Sequence, residues 1–458
     1  MNSRNADGSL ARSRATDDPS GEHLRVDWLR LKAAVVDPTT QLAALPGVME
    51  EICRRMDRRE TMGMVYLDLS SEAHLESVYG WETYDRLLAQ GSRAVLEVVA
   101  PYGDDALLTI SGIRGEELML FLRMDPGPDI EMRLLAVKEK LLETLASRLQ
   151  VQLDNEGPRA LTVHAEFSVL AVDPMVRIER AVYRALDELR AACRKRRERQ
   201  HHQQLDELQR IVESGDIRVR FQPIVHLGTG SIHGFEALSC GPEGSVFQNP
   251  EMLFAFAEET DYIVELERAC RHESIRLARE LGRGRKLFLN CSARGFTDPE
   301  LFCRTMVDQA EACGLEPSDI VIEITERVAI TAWQEFRRSV AALRLIGFSI
   351  AIDDMGAGYS SLQSVAEVQP DYLKVDLSLI RDIHRSPIKR SLLHSVQSIA
   401  ASIGARIIAE GVEQEEECRT LQGMGIGLAQ GFFFAPPGHG LQDRSVHFPP
   451  PAPASKAG

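Results

Sequence analysis

Downstream of residue 215 the chain alternates short apolar runs with longer amphipathic stretches. The runs VRFQPIV, HGFEAL, KLFLN, IVIEI, FSIAID, YLKVD, RIIAE and GLAQGFFF have the length and apolar density of strands buried on both faces. Helical periodicity fills most of the gaps, at 298–313, 332–346, 388–403 and 414–422. Strand and helix in alternation predict a parallel sheet. Eight such strands within 215–440 fit a closed (β/α)8 barrel better than an open doubly wound sheet.

Upstream, Asp173-Pro174 is a helix-start pair, and no Gly or Pro follows until Gly215. Met175, Ile178, Val182, Ala185, Leu189 and Ala192 step by three or four, and Leu205, Leu208 and Val212 resume the stripe. The spacing predicts a connecting helix over 175–214 with one apolar face, suited to pairing with its twin in a homodimer. Its basic run (Arg190, Arg194, Lys195, Arg196, Arg197, Arg199) reads as a solvated face. Residues 31–174 form a separate segment. The polar stretch 1–30 and the Pro/Ala-rich stretch 441–458 read as disordered ends.

The 458 residues carry 53 Lys plus Arg against 68 Asp plus Glu, a net charge of −15. That balance argues against binding a nucleic-acid polymer, which relies on many cations neutralising phosphates. Eight cysteines without Cys-x-x-Cys spacing suggest reduced thiols and a cytoplasmic protein. No apolar run reaches the length of a signal peptide or a membrane span, so neither is expected.

The chemistry lies where the apolar runs end. Glu236, Asn290, Glu323, Asp353 with Asp354, Lys374, Glu410 and Gln430 each close a predicted strand, and in a parallel barrel such ends share one rim. Carboxylates crowded there repel unless cations sit among them, and oxygen ligands select hard ions such as Mg2+ or Mn2+. Paired metals about 3.5 to 4 Å apart are a standard device for phosphodiester hydrolysis. Lys374 offers a fixed positive charge to a developing anion. A lysine Schiff-base enzyme would also use Lys374, but has no need of so many carboxylates. Gly356-x-Gly358 reads as a flexible turn.

The motifs Phe221-Gln222-Pro223-Ile224-Val225, Glu236-Ala237-Leu238, Asn290-Cys291-Ser292, Glu323-Ile324-Thr325-Glu326, Asp353-Asp354-Met355-Gly356-Ala357-Gly358-Tyr359-Ser360-Ser361, Lys374-Val375-Asp376, Glu410-Gly411-Val412-Glu413 and Gln430-Gly431 together resemble the EAL domain. The resemblance implies a (β/α)8-like barrel that linearises cyclic di-GMP to pGpG with two Mg2+ or Mn2+ ions. It implies Glu236, Asn290, Glu323, Asp353, Asp354 and Glu410 as metal ligands, Lys374 as the group that polarises water or phosphate, and Glu410 also as a base. Gln222, Leu238 and Gln430 would lie against the substrate and its water. Glu326, Asp376 and Glu413 would support the loop after Asp354, which in this family links the site to dimerisation. Met355 stands where the family has Phe, a tolerable exchange of bulky apolar residues. The family's arginine two residues after Glu-Ala-Leu is replaced by Cys240. Loss of such a charge-assisted contact costs about 1.5 to 3 kcal/mol, a tenfold to hundredfold loss of affinity. A binding module that senses cyclic di-GMP with little or no turnover is therefore the alternative reading.

Residues 31–174 resemble a GGDEF domain, the α+β nucleotidyl cyclase-like fold. The resemblance rests on Asp37-Pro38-Thr39-Thr40, Val65-Tyr66-Leu67-Asp68, Tyr79-Gly80-Trp81, Asp85-Arg86-Leu87-Leu88 and Arg114-Gly115-Glu116-Glu117-Leu118. Arg114 replaces the first signature glycine and should obstruct GTP phosphates, and Ser70 and Glu76 replace an Asp and an Asn. Cyclase activity is not expected. A regulatory module, with GTP as a candidate ligand through Asp68, Glu116 and Glu117, is.

Overall fold

The computed structural model describes residues 36–57, 61–69, 81–110, 116–154, 163–282, 284–292, 294–325, 333–355 and 362–441. The calls on 1–30, on most of 441–458, and on Ser70, Glu76, Arg114, Glu326 and Gly356-x-Gly358 lie outside the described residues, as does the side chain of Asp354. The chain divides between His202 and Gln203 into two compact units, and the division falls within the helix Ile178–Ser214.

In the first unit β1 (Thr61–Asp68), β2 (Ala106–Ile110), β3 (Glu117–Met124) and β4 (His164–Leu170) form an antiparallel sheet in the order β2-β3-β1-β4. Alternate residues face opposite ways along a strand, so the sheet seeds two cores. Val65, Leu67, Leu120 and Leu122 pack with Leu87, Val95, Leu134 and Leu141 of the helices Trp81–Val99 and Ile130–Asp154. Met64, Tyr66, Met119 and Phe121 pack with Ile52, Val182, Leu186 and Leu189 of the helices Leu45–Asp57 and Ile178–Ser214.

The basic run on the latter helix is not merely a solvated face. Arg190 pairs with Glu117, whose carboxylate also accepts from the Tyr66 hydroxyl at 2.8 Å. Arg196 pairs with Glu166 at 2.8 Å, and Arg197 lies 3.8 Å from Asp68. The register sets Asp68 opposite Glu117, so these arginines answer carboxylates that strand pairing brings together.

The second unit is a closed barrel in the order β10-β11-β12-β5-β6-β7-β8-β9. Its strands are β5 (Arg218–His226), β6 (Ile232–Cys240), β7 (Lys286–Cys291), β8 (Ile320–Thr325), β9 (Ser349–Met355), β10 (Tyr372–Val375), β11 (Arg406–Ala409) and β12 (Leu428–Ala429). All eight apolar runs are strands of this barrel. The all-parallel expectation needs correction: β5 runs antiparallel to both β6 and β12. The link Leu227–Ser231 between β5 and β6 makes a tight turn, whereas a parallel return needs a crossover of a dozen or more residues. The helices Pro250–Glu259 and Ile263–Leu277 fill the long connection from β6 to β7.

Ile224, Phe288, Val321, Ala351, Tyr372, Ile408 and Leu428 plug the barrel interior as one apolar layer. His233 packs beside this layer, 3.1 Å from the Tyr372 hydroxyl and 3.4 Å from Arg406. Burial, then the positive charge of Arg406, with His226 and Lys286 adding to it, lowers its pKa to about 3. A histidine held neutral in the fold supports stability fully above its unfolded value near 6.5, and that support is lost as pH falls from there towards about 3. His233→Gln, which keeps a polar partner for Tyr372, is expected to lose less stability than the parent between pH 7.5 and 5. Urea unfolding at the two pH values checks this, and equal losses would contradict it.

Candidate active site

The apolar plug determines what stands above it, because the next residue on the same face of a strand is two positions away. Two beyond Phe288, Val321, Ala351, Tyr372, Ile408 and Leu428 come Asn290, Glu323, Asp353, Lys374, Glu410 and Gln430. On the antiparallel β5 the count runs backwards, from Ile224 to Gln222, and the register pairs Gln222 with Glu236 of β6. One layer of polar side chains from eight positions thus caps one apolar layer at the barrel mouth.

Lys374 is the centre of that layer. Its Nζ lies 2.8 Å from Glu410, 3.0 Å from Asp353, 3.1 Å from Glu323 and 3.3 Å from Glu236. Lys374 is 1% exposed and Glu323 is fully buried, so these charges interact with little screening by water. Burial works against the ammonium, but Glu236, Glu323, Glu410 and Asp353 hold the lysine well above its usual pKa. Burial likewise raises Glu323 and Glu410 well above the usual carboxylate range, against the pull of Lys374 and with the other carboxylates adding to the rise.

Glu236 ties the amides into this cluster. It accepts from Gln430 Nε2 at 2.6 Å and from Asn290 Nδ2 at 3.2 Å, and Gln430 donates to Gln222 Oε1 at 2.8 Å. The geometry therefore brings together Gln222, Glu236, Asn290, Glu323, Asp353, Lys374, Glu410 and Gln430. Leu238 stands two residues beyond Glu236 on the same face. Asp376 and Glu413 face other partners. Asp376 caps the helix Leu377–Ile380 through Ser378 N at 2.9 Å, and Glu413 pairs with Arg381 at 3.2 Å.

Four carboxylates around one ammonium leave negative charge in excess. Glu323 Oε2 and Gln430 Oε1 are buried without a hydrogen-bond donor, and Glu323 Oε1 and Asp353 Oδ1 face only the shared Lys374 ammonium. All these donors are oxygens, the chemistry that hard divalent cations take. The donor set therefore fits such ions, although its focus in this structure is Lys374. Among the described residues no three His, Cys, Asp or Glu side chains are disposed to hold one ion in common.

Supports that the sequence pattern does not announce fix the rim. Buried Glu267 accepts Ser292 N at 2.8 Å, anchoring the backbone just after Asn290, and burial raises its pKa against that bond. Arg271, also buried, pairs with Asp298, which Arg268 holds from the other side at 2.7 Å. Gly411, directly after Glu410, has φ +64, and a Cβ there would meet Leu377 Cβ at 2.3 Å. The Glu-Gly pairing is thus a backbone requirement.

Residues 205–437, just over half of the chain, match the family model of the EAL domain. Over 412 residues, 86% of this chain, it is 27% identical to the Escherichia coli protein "Cyclic di-GMP phosphodiesterase PdeR". Over 234 residues, 50% of this chain, it is 29% identical to "Cyclic di-GMP phosphodiesterase RocR" of Pseudomonas aeruginosa. The aligned parts span 60% and 59% of those two proteins' lengths. Among solved structures, the Xanthomonas citri FimX EAL domain in complex with c-diGMP superposes with a TM-score of 0.51 at 21% identity. It covers 55% of this chain and 99% of that one, a likeness of fold.

Proposed function

The chain belongs to the EAL domain family, and we propose that its barrel hydrolyses one phosphodiester bond of cyclic di-GMP to give linear pGpG. The observation that carries this reading is the convergence of four carboxylates on buried Lys374 at the barrel mouth. Curated relatives named as cyclic di-GMP phosphodiesterases support it.

Glu236, Asn290, Glu323, Asp353, Asp354 and Glu410 would hold the divalent cations. When bound, such ions supply Lewis acidity to the phosphate and lower the pKa of water. Lys374 Nζ presents a positive charge to the phosphate oxygens. The water oxygen bonds to phosphorus, the P–O3′ bond breaks with its electron pair going to O3′, and the proton that the water releases passes to a carboxylate oxygen of Glu410 and from there to the departing O3′, which becomes the free hydroxyl of pGpG. Gln222 and Gln430, linked to each other and to Glu236, orient groups beside the substrate, and Leu238 offers it an apolar contact. Glu326, Asp376 and Glu413 would support the loop after Asp354; Asp376 N donates to Met355 O at 3.1 Å, while the side chains of Asp376 and Glu413 engage Ser378 and Arg381.

The first unit is read as an inactive GGDEF-like regulator that couples to the barrel in a homodimer. The engagement of Glu117 and Asp68 by Arg190 and Arg197 supports inactivity, and GTP is the ligand to test on it. Eight free cysteines support a reducing, cytoplasmic setting. No helix among the described residues is long and apolar enough to cross a membrane. A second reading, a cyclic di-GMP effector without useful turnover, draws on Cys240, which offers no charge to a phosphate.

The test is metal dependence. The full chain is expected to form pGpG from cyclic di-GMP with Mg2+ or Mn2+, to stop in excess EDTA, and to resume when the ion is restored, as followed by chromatography. Equal rates with and without EDTA would contradict the role given to the carboxylates.

A further inference from the structure

We propose that Arg220 is the cation that holds a phosphate of the substrate at the barrel mouth, in the place that Cys240 leaves uncharged. The proposal rests on the cyclic di-GMP reading and deepens it.

The same two-residue count that finds the carboxylate layer finds Arg220. Because β5 is antiparallel, its first residues lie at the rim where the neighbouring parallel strands end. A parallel β5 would have brought His226 there instead. The register sets Gln222 opposite Glu236, Arg220 opposite Leu238 and Arg218 opposite Cys240. Opposed residues share a face, so Gln222, Arg220 and Arg218 rise in steps of about 7 Å on the side that carries Glu236. Arg220 thus stands one step above the polar layer.

Two arginines of β5 reach this rim, and their partners separate them. Arg218 is engaged by Glu243 at 2.8 Å. Arg220 is exposed, and its side chain makes no ion pair or hydrogen bond among the described residues. It lines an open groove of about 670 Å3 with Leu238, Cys240, Gln248, Asn249 and Glu251. Among the described residues the only cation within the carboxylate layer, Lys374, is 1% exposed and already shared among four carboxylates. Lys374 and the cations of the carboxylate layer would serve the phosphate that reacts, so the second phosphate of the dinucleotide needs a cation outside that cluster. Arg220 supplies one whose planar fork suits phosphate oxygens.

The test is the Kd for cyclic di-GMP of the full chain and its variants, by calorimetry with Mg2+ and again with EDTA. In the condition where the parent binds, Arg220→Ala and the size-preserving Arg220→Gln are expected to weaken binding at least tenfold. Arg220→Lys should lose less than the neutral variants, and Arg218→Ala less than threefold. The dependence of Kd on salt should become shallower in Arg220→Gln. Cys240→Arg added to Arg220→Gln should regain most of the lost affinity, which repair of a merely structural defect would not do. Binding by Arg220→Gln within twofold of the parent would overturn this inference while leaving the cyclic di-GMP reading intact. A parent that binds no cyclic di-GMP in either condition would overturn that reading and the role of Arg220 with it.

Discussion

Lys374→Met is expected to abolish turnover and to destabilise the barrel by about 3 to 5 kcal/mol, the usual consequence of removing one partner from a buried charge cluster. The ammonium lies within 3.3 Å of carboxylates from four separate chain segments, and nearly all of its surface is buried. Methionine fills a similar volume, so the loss is one of charge and not of packing. Glu236, Glu323, Asp353 and Glu410 would then face one another across a desolvated space, and Glu323 and Glu410 already have raised pKa values with the lysine in place. Protonation or added cations must relieve the repulsion. The thermal midpoint in EDTA should therefore fall well below the parent's, and Mg2+ or Mn2+ should raise it more in the variant than in the parent. A variant as stable as the parent in EDTA would show that the lysine does not hold the cluster together.

Much of this site is visible in the sequence because it follows a simple periodicity. Six strands contribute an apolar plug residue and, two positions later, a polar one, so the runs that mark the strands also mark Asn290, Glu323, Asp353, Lys374, Glu410 and Gln430, and Glu236 joins them through its pairing with Gln222. The direction of β5 was legible too, in the short link Leu227–Ser231, but the apolar density of the runs favours a parallel reading that hides it. Arg220 becomes informative only once that direction is known. Glu267, Arg271 and Asp298 could not be found this way. They sit on a helix and a loop as ordinary charged residues, and only tertiary packing makes them a buried network behind Asn290. The same holds for Arg190 and Arg197, whose partners Glu117 and Asp68 lie far away in the chain. The focus of the carboxylates on Lys374 is likewise a property of barrel closure.

Glu236→Gln carries the opposite signature from Lys374→Met, and it tests the account most sharply. The amide preserves shape: its oxygen can still accept from Gln430 Nε2, and its NH2 keeps the Asn290 contact once Asn290 turns its own amide oxygen inward, while one of four negative charges around a single ammonium disappears. Stability in EDTA should match or exceed the parent's, as at sites where activity is bought with strain. Turnover should fall at least about a hundredfold, more than the loss typical when a supporting partner of a metal ligand is removed. The decisive measurement is the amount of pGpG formed from cyclic di-GMP by the full chain and by Glu236→Gln, side by side with Mn2+ and resolved by chromatography. The predicted result is steady pGpG formation by the parent and almost none by an equally folded variant. Equal product from both, or no product from a parent that binds the dinucleotide, would contradict a phosphodiesterase site at the barrel mouth.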